Sequence, residues 1–106
     1  NMVALEFLRA IYNWNEYGYG RFTLHYIRNK EKEEIDFLIA NNNNPVLLVE
    51  TKLSKDTPAK SLINFQNILN VPAVQLVNKE GVFKYIKNNK NKILIVTAHQ
   101  WLSSLP

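Results

Sequence analysis

Two adjacent segments constrain the fold more than any other part of the chain: Glu34-Ile35-Asp36-Phe37-Leu38-Ile39 and Val46-Leu47-Leu48-Val49-Glu50-Thr51-Lys52. Each is an apolar run of strand length, and each carries acid where a buried strand would exclude it. Between them, Asn41 to Pro45 supply four asparagines and a proline, which is strong turn chemistry. Folding the two runs into a hairpin brings Asp36 opposite Glu50 or within one residue of it, and residues opposite each other in an antiparallel pair share a face. Glu50 and Lys52 share a face as well, because strand side chains alternate with a period of two. The expected result is Asp, Glu and Lys gathered at one end of an otherwise apolar hairpin. Charge held against apolar surface is costly unless it is paired or binds metal.

The flanking sequence extends this hairpin into a mixed α/β arrangement. Val3, Phe7, Ala10, Ile11 and Trp14 recur at spacings of three and four, which predicts a helix over Val3 to Trp14. Leu5 and Leu8 widen its apolar surface, so the helix is expected to be buried on most sides. Phe22 to Ile27 reads as a first strand, Arg28 to Glu33 as a charged turn, and Glu34 to Ala40 and Val46 to Lys52 as second and third strands of a meander. Ala59 to Leu69 reads as a second helix, with Thr57 as its cap and Pro58 in its first turn. Ala73 to Val77 follows as a strand. Strand, helix and strand within this short span make a crossover, so that strand should lie parallel to the third. Gly81 to Ile86 and Ile93 to Val96 predict two further strands around a basic turn, Lys87 to Lys92. Thr97 is placed to cap a short terminal helix through Leu105.

Composition bounds the function classes. A chain of 106 residues suits a single domain, and 46% hydrophobic content argues against disorder. The absence of cysteine removes disulfides and thiolate metal sites, and it fits a reducing, cytoplasmic compartment. No apolar stretch approaches the roughly 20 residues that span a bilayer, so no membrane partner is expected. A net charge of +4 permits nucleic-acid binding without demanding it. Asn1 precedes Met2, and the chain is expected to be part of a longer protein.

Asp36, a spacer, then Glu50-Thr51-Lys52, set after a helix bearing Glu6 and before a crossover, resembles the PD-(D/E)XK nuclease superfamily. The wording of Asn1 to Leu8, of Tyr26 and Arg28, of Glu34 to Phe37, and of Glu50 and Lys52 is similar to a nuclease-like C-terminal domain of unknown function that follows AAA+ ATPase modules in archaea and bacteria. Ile35 stands where a proline sometimes precedes the first acid. No GxxxxGK[ST] loop is present, so any ATP site belongs to another part of the protein. The resemblance implies a restriction-endonuclease-like mixed sheet, in the order helix, three-strand meander, helix, strand. It also implies a metal-dependent phosphodiesterase acting on DNA more than RNA, associated with an ATPase.

Magnesium and manganese take hard oxygen ligands, and Asp36 and Glu50 supply them; the resemblance adds the Thr51 carbonyl. Lys52 would orient the attacking water or stabilise charge on the phosphate, and Glu6 would assist. Arg28, Lys55 and Lys60 are candidate phosphate contacts, and Gln66, one turn beyond Leu62, is expected to face the same cleft. Plainer alternatives stand beside these. Lys52 with either acid makes an ordinary ion pair, and Glu6 a surface acid near a helix N-terminus. Arg28 makes a partner for Glu33 or Glu34, and Gln66 a solvated helix residue. Tyr12, Trp14, Tyr17 and Tyr19 offer either a stacking surface for bases or ordinary packing. At the level of the domain, the alternative is a catalytically inactive nuclease-fold module that binds nucleic acid or regulates the ATPase.

Overall fold

A computed structural model describes residues 2–28 and 34–105. The elements run α1 (Met2–Glu16), β1 (Phe22–Arg28), β2 (Glu34–Asn41), β3 (Asn44–Lys52), α2 (Lys60–Leu69), β4 (Ala73–Val77), β5 (Phe83–Asn88), β6 (Asn91–Thr97) and α3 (Ala98–Ser103). Beyond Arg28, the expected charged turn lies outside the described residues. The chain is an α/β fold with one six-stranded mixed sheet in the order β1-β2-β3-β4-β6-β5. The β1–β2 and β2–β3 pairs are antiparallel, β3–β4 and β4–β6 are parallel, and β5–β6 closes the far edge antiparallel. The parallel strands β3, β4 and β6 therefore end together, at Lys52, Val77 and Thr97.

The asparagine run makes a tight hairpin. Asn42 and Asn43 have φ of 51° and 68°, the pair of positive values that a type I′ turn demands and that asparagine tolerates. Pairing resumes at once with Asn41↔Asn44 and Ala40↔Pro45, then skips Val46 to reach Ile39↔Leu47. The extra residue is a bulge, a place where a strand can hold proline. At the end of α2, Asn70 takes the left-handed conformation (φ 57°, ψ 50°) and its amide donates to the Gln66 carbonyl, a left-handed C-cap.

Each face of the sheet carries its own core. Ile35, Leu48, Ala73, Val77, Ile93 and Ile95 pack against Leu62 and Phe65 of α2. Phe37, Ile39, Val49, Val74, Leu76 and Val96 pack against Phe7 and Ile11 of α1 and Leu102 of α3. Strand β4 is buried along its whole length because helices cover both of its faces. No helix among the described residues is long and apolar enough to cross a membrane.

Three expectations need correction. Helix α1 is not enclosed: it buries the stripe Phe7, Ala10 and Ile11, while Leu5 and Leu8 are 66% and 50% exposed, because only one side of it meets the sheet. Helix α2 starts after Ala59, with no side-chain cap, so Thr57 and Pro58 lie in the loop before it. Thr97 takes the N-cap position of α3 as expected, but its side chain makes no capping hydrogen bond. Its hydroxyl donates to the Lys79 carbonyl (2.6 Å) and accepts from the Val82 amide (2.9 Å), which fastens the β4–β5 loop to the end of β6.

Candidate functional site

A bulge in β2 positions the first acid. Between the pairs His25↔Leu38 and Ile27↔Ile35, β1 contributes only Tyr26, whereas β2 contributes both Asp36 and Phe37. Residues 35 and 37 of a regular strand would share a face, but here Ile35 joins the α2-side core and Phe37 the α1-side core. Asp36 sits at the reversal, and the bulge turns its carboxylate toward β3. Its Oδ2 accepts from the Thr51 amide (2.9 Å) and from Thr51 Oγ1 (2.5 Å).

The second acid stands directly across. The β2–β3 register ends at Phe37↔Val49; one step further Asp36 faces Glu50, and the two carboxyl groups hydrogen-bond to each other. Glu50 is only 4% exposed. Burial, then the hydrogen bond and negative charge of Asp36, push its carboxyl from 4.5 up to about 7, against the pull of the Lys52 charge. Burial alone would raise Asp36 as well. The hydrogen bonds from Glu50 and Thr51, with the charge of Lys52, outweigh burial and hold it below 3.8. The pair therefore keeps one proton as pH rises from the ordinary carboxylate range toward about 7, because two adjacent carboxylates resist joint ionisation.

A loop and a helix start surround this pair. Ser61 Oγ of α2 donates to Glu50 Oε2 at 3.3 Å. Gln75, beside Glu50 in the β3–β4 register, is fully buried. Its Oε1 accepts from the Ala59 amide (2.8 Å), and its Nε2 donates to the carbonyls of Lys55 and Thr57 (both 2.9 Å). Gln75 thus pins the 53–59 loop next to Glu50, with Lys55 on that loop and Lys60 at the first position of α2, both exposed. The sequence reading passed over Gln75 and Ser61. Gln75 carried a signal, as the one polar residue in the apolar strand Ala73–Val77; Ser61 carried none.

Other expected residues are placed differently. Gln66 is a correction: it is 1% exposed and its Nε2 donates to the Val71 and Lys92 carbonyls at 2.9 and 3.0 Å. Helix α2 runs back against β3, so each turn carries the chain about 5.4 Å away from Glu50, and Gln66 ends beside the starts of β4 and β6. Arg28 pairs with Glu34 (2.5 Å), which also accepts from the Tyr26 hydroxyl (2.7 Å). Glu6 pairs with Arg9 at 2.6 Å, and among the described residues no three acidic or histidine side chains converge as metal ligands. Glu6 also lines a cleft of about 580 Å³ between α1 and α3, which touches Thr51, Lys52, Leu76, Asn78 and His99. That cleft borders the acid pair through Thr51 and Lys52 without including it. Of the four aromatics, Trp14 packs on Phe22 (5.3 Å between ring centroids), whereas Tyr12, Tyr17 and Tyr19 are exposed.

Two carboxylates that share a proton, with a lysine charge beside them, can exchange that proton for a cation, hold a water, or act as an acid–base couple. No curated protein matches the chain, and no solved structure does. Residues 1–100 match the model of a family described as a domain of unknown function, DUF4143, and the chain belongs to that family.

Proposed function

We propose that this domain is a nuclease-fold phosphodiesterase that uses Asp36 and Glu50 to hold Mg²⁺ or Mn²⁺, and that its substrate is DNA in preference to RNA. The observation that carries the reading is the buried pair itself: a bulge turns Asp36 onto Glu50 at the ends of the parallel strands, the end of an open α/β sheet where ligands bind. The element order agrees with the PD-(D/E)XK core, namely a helix, a three-strand meander, a helix and a strand parallel to the third.

The donor set fits a hard cation. Magnesium needs one or two carboxylates and keeps several waters, and the Thr51 carbonyl is a third oxygen on the same strand. When bound, a divalent ion supplies Lewis acidity and eases deprotonation of a water. The chain's own residues do the rest. Asp36 is kept ionised by Thr51, Glu50 gives up its proton on loading, and the Lys52 ammonium balances charge developing on the phosphate. Lys55 and Lys60, presented by the pinned loop and the start of α2, contact flanking phosphates. An ATPase module in the same full-length protein is the proposed partner, in a cytoplasmic setting.

One observation favours a second reading. Asp36 Oδ2 already accepts two hydrogen bonds from Thr51 and Glu50 holds the shared proton, so the pair is satisfied without a metal. In that reading the fold is retained to bind nucleic acid or to regulate the ATPase. Melting the protein in EDTA, Ca²⁺ or Mn²⁺ separates the two. At a hundredfold excess over Kd a bound ion stabilises by about 2.7 kcal/mol, a rise in Tm on the order of 10 °C for a domain of this size. Asp36→Asn should remove that rise. Stabilisation with Mn²⁺-dependent cleavage of labelled DNA supports the phosphodiesterase. Stabilisation without cleavage of DNA or RNA supports the second reading, and no stabilisation in wild type removes the metal site.

A further inference from the structure

We propose that the β5–β6 edge of the sheet is a binding surface for single-stranded nucleic acid. The chain's charge is unevenly distributed. Residues 1–80 are balanced, with nine Lys and Arg against nine Asp and Glu, whereas residues 81–106 carry four lysines and no acid. The whole net charge of +4 therefore lies on the last hairpin. Lys84 and Lys87 are on β5, Lys90 is in the turn and Lys92 is on β6, and all four are exposed. Two aromatic rings stand among them. Phe83 and Tyr85 are 68% and 60% exposed and meet edge to face, with centroids 5.6 Å apart at 89°. Lys92 Nζ lies 5.8 Å from the Tyr85 ring centre.

The register sorts these side chains by face. Phe83 pairs with Val96, Tyr85 with Leu94 and Lys87 with Lys92, so two rings and two lysines share one face of the outermost strands. Lys84 points to the other face, where Asp56 holds it at 3.4 Å. Lysines on an edge strand have an ordinary purpose, since they discourage pairing with another chain. The rings have the opposite tendency: a bare Phe and Tyr on an edge invite association, and burying them elsewhere would have been favourable. Rings that stay exposed among uncompensated lysines match a ligand that is anionic along its length and offers flat apolar faces. Single-stranded nucleic acid has both properties, because phosphates meet the lysines and unpaired bases stack on the rings. A duplex hides its base faces, and a polyanion without bases uses only the lysines.

The two rings share the α1 and α3 face of the sheet with Val96 and Leu94, whereas Ser61 of α2 reaches Glu50 from the opposite face, so a strand bound here approaches the acid pair only around the end of the sheet. Strand β5 is three strands from β3 in the sheet, roughly 14 Å away. Phe83 lies one residue from the row formed by Lys52, Val77 and Thr97. The inference does not rest on metal at Asp36 and Glu50; where that site is active, it makes the substrate unpaired at the sheet edge.

The test is fluorescence anisotropy of labelled oligothymidine in EDTA, titrated over a range of salt, with duplex DNA and heparin as competitors. Phe83→Ala with Tyr85→Ala is expected to weaken binding about tenfold or more per ring while leaving the salt slope unchanged. Lys87→Ala with Lys92→Ala is expected to reduce that slope by about 0.7 per lysine. Tyr85→Trp should retain affinity, and because the titration is run in EDTA its outcome is independent of the metal reading. Phe83, Tyr85, Lys87 and Lys92 are all exposed, and melting curves check that each variant folds. Ring variants that bind like wild type, or heparin and duplex competing as well as oligothymidine, would overturn the proposal. So would a dimer in sedimentation that Phe83→Ala abolishes, since the edge would then be a contact between copies of the chain.

Discussion

Glu50 is a buried acid that loses stabilisation when it ionises. Its folded-state pKa, about 7, lies above the ordinary 4.5. Between those values the folded protein holds a proton that the unfolded chain has released, so stability falls as pH rises through this window and levels off above it. The full fall is on the order of 3 kcal/mol. Asp36 behaves oppositely, because a pKa held below 3.8 gives stability that is present above 3.8 and is lost only in stronger acid. The two windows do not overlap, so a scan of Tm from pH 4.5 to pH 7.5 in EDTA isolates Glu50. Wild type should lose Tm across the scan, and Glu50→Gln, which keeps an amide able to donate to Asp36, should flatten the curve. Mn²⁺ should flatten it too, because a cation favours the ionised pair. A wild-type profile already flat in EDTA would mean that the pair does not share a proton.

The hairpin that presents these acids depends on two asparagines with positive φ. A left-handed conformation costs an ordinary L-residue roughly 1–2 kcal/mol, so Asn43→Val should destabilise by about that amount in urea unfolding. Asn43→Gly should be neutral or slightly stabilising, and equal effects of the two would argue against the turn. This element also shows what could be read from the chain. The apolar periods located every strand and helix, and the alternation in β3 placed Glu50 and Lys52 together. Four consecutive asparagines, however, are equivalent as turn residues, and nothing local chooses Asn42 and Asn43 as the centre. The β2 bulge was equally illegible, because it arises where β1 pairs with one residue fewer than β2, a property of two strands and of neither alone. Gln66 was misplaced for a related reason. Helical spacing gives the face of a residue but not which end of the sheet that face meets, and Gln66 points inward at the end away from Glu50.

The two cores share one sheet, and this determines how the molecule should unfold. Leu62 and Phe65 of α2 lie against one face, and Phe7, Ile11 and Leu102 against the other. Both tryptophans report from the second face: Trp14 packs at a tilt against Phe22, and Trp101 packs 5.6 Å from Phe7 between ring centroids. Strands β3, β4 and β6 contribute side chains to both cores, so loosening one face removes the support of the other. Leu62→Ala, which empties a fully buried site under α2, is expected to cost 2–5 kcal/mol and to lower Tm on the order of 10 °C or more. Tryptophan fluorescence, reporting from the far side of the sheet, should shift by the same amount as the far-UV circular dichroism. If the fluorescence transition stayed at its wild-type temperature while the dichroism moved, the faces would be separate cooperative units. The distinction bears on the site, because Glu50 is gripped from the α2 side through Ser61, while Thr51 and Lys52 border the cleft under α1 and α3. A single cooperative unit holds Asp36, Glu50 and Lys52 in one fixed relation, which a buried carboxylate pair requires. Two independent faces would let α2 lift away, hydrate Glu50 and return its pKa toward 4.5, so in Leu62→Ala the pH dependence of Tm should remain intact only if the sheet unfolds as one.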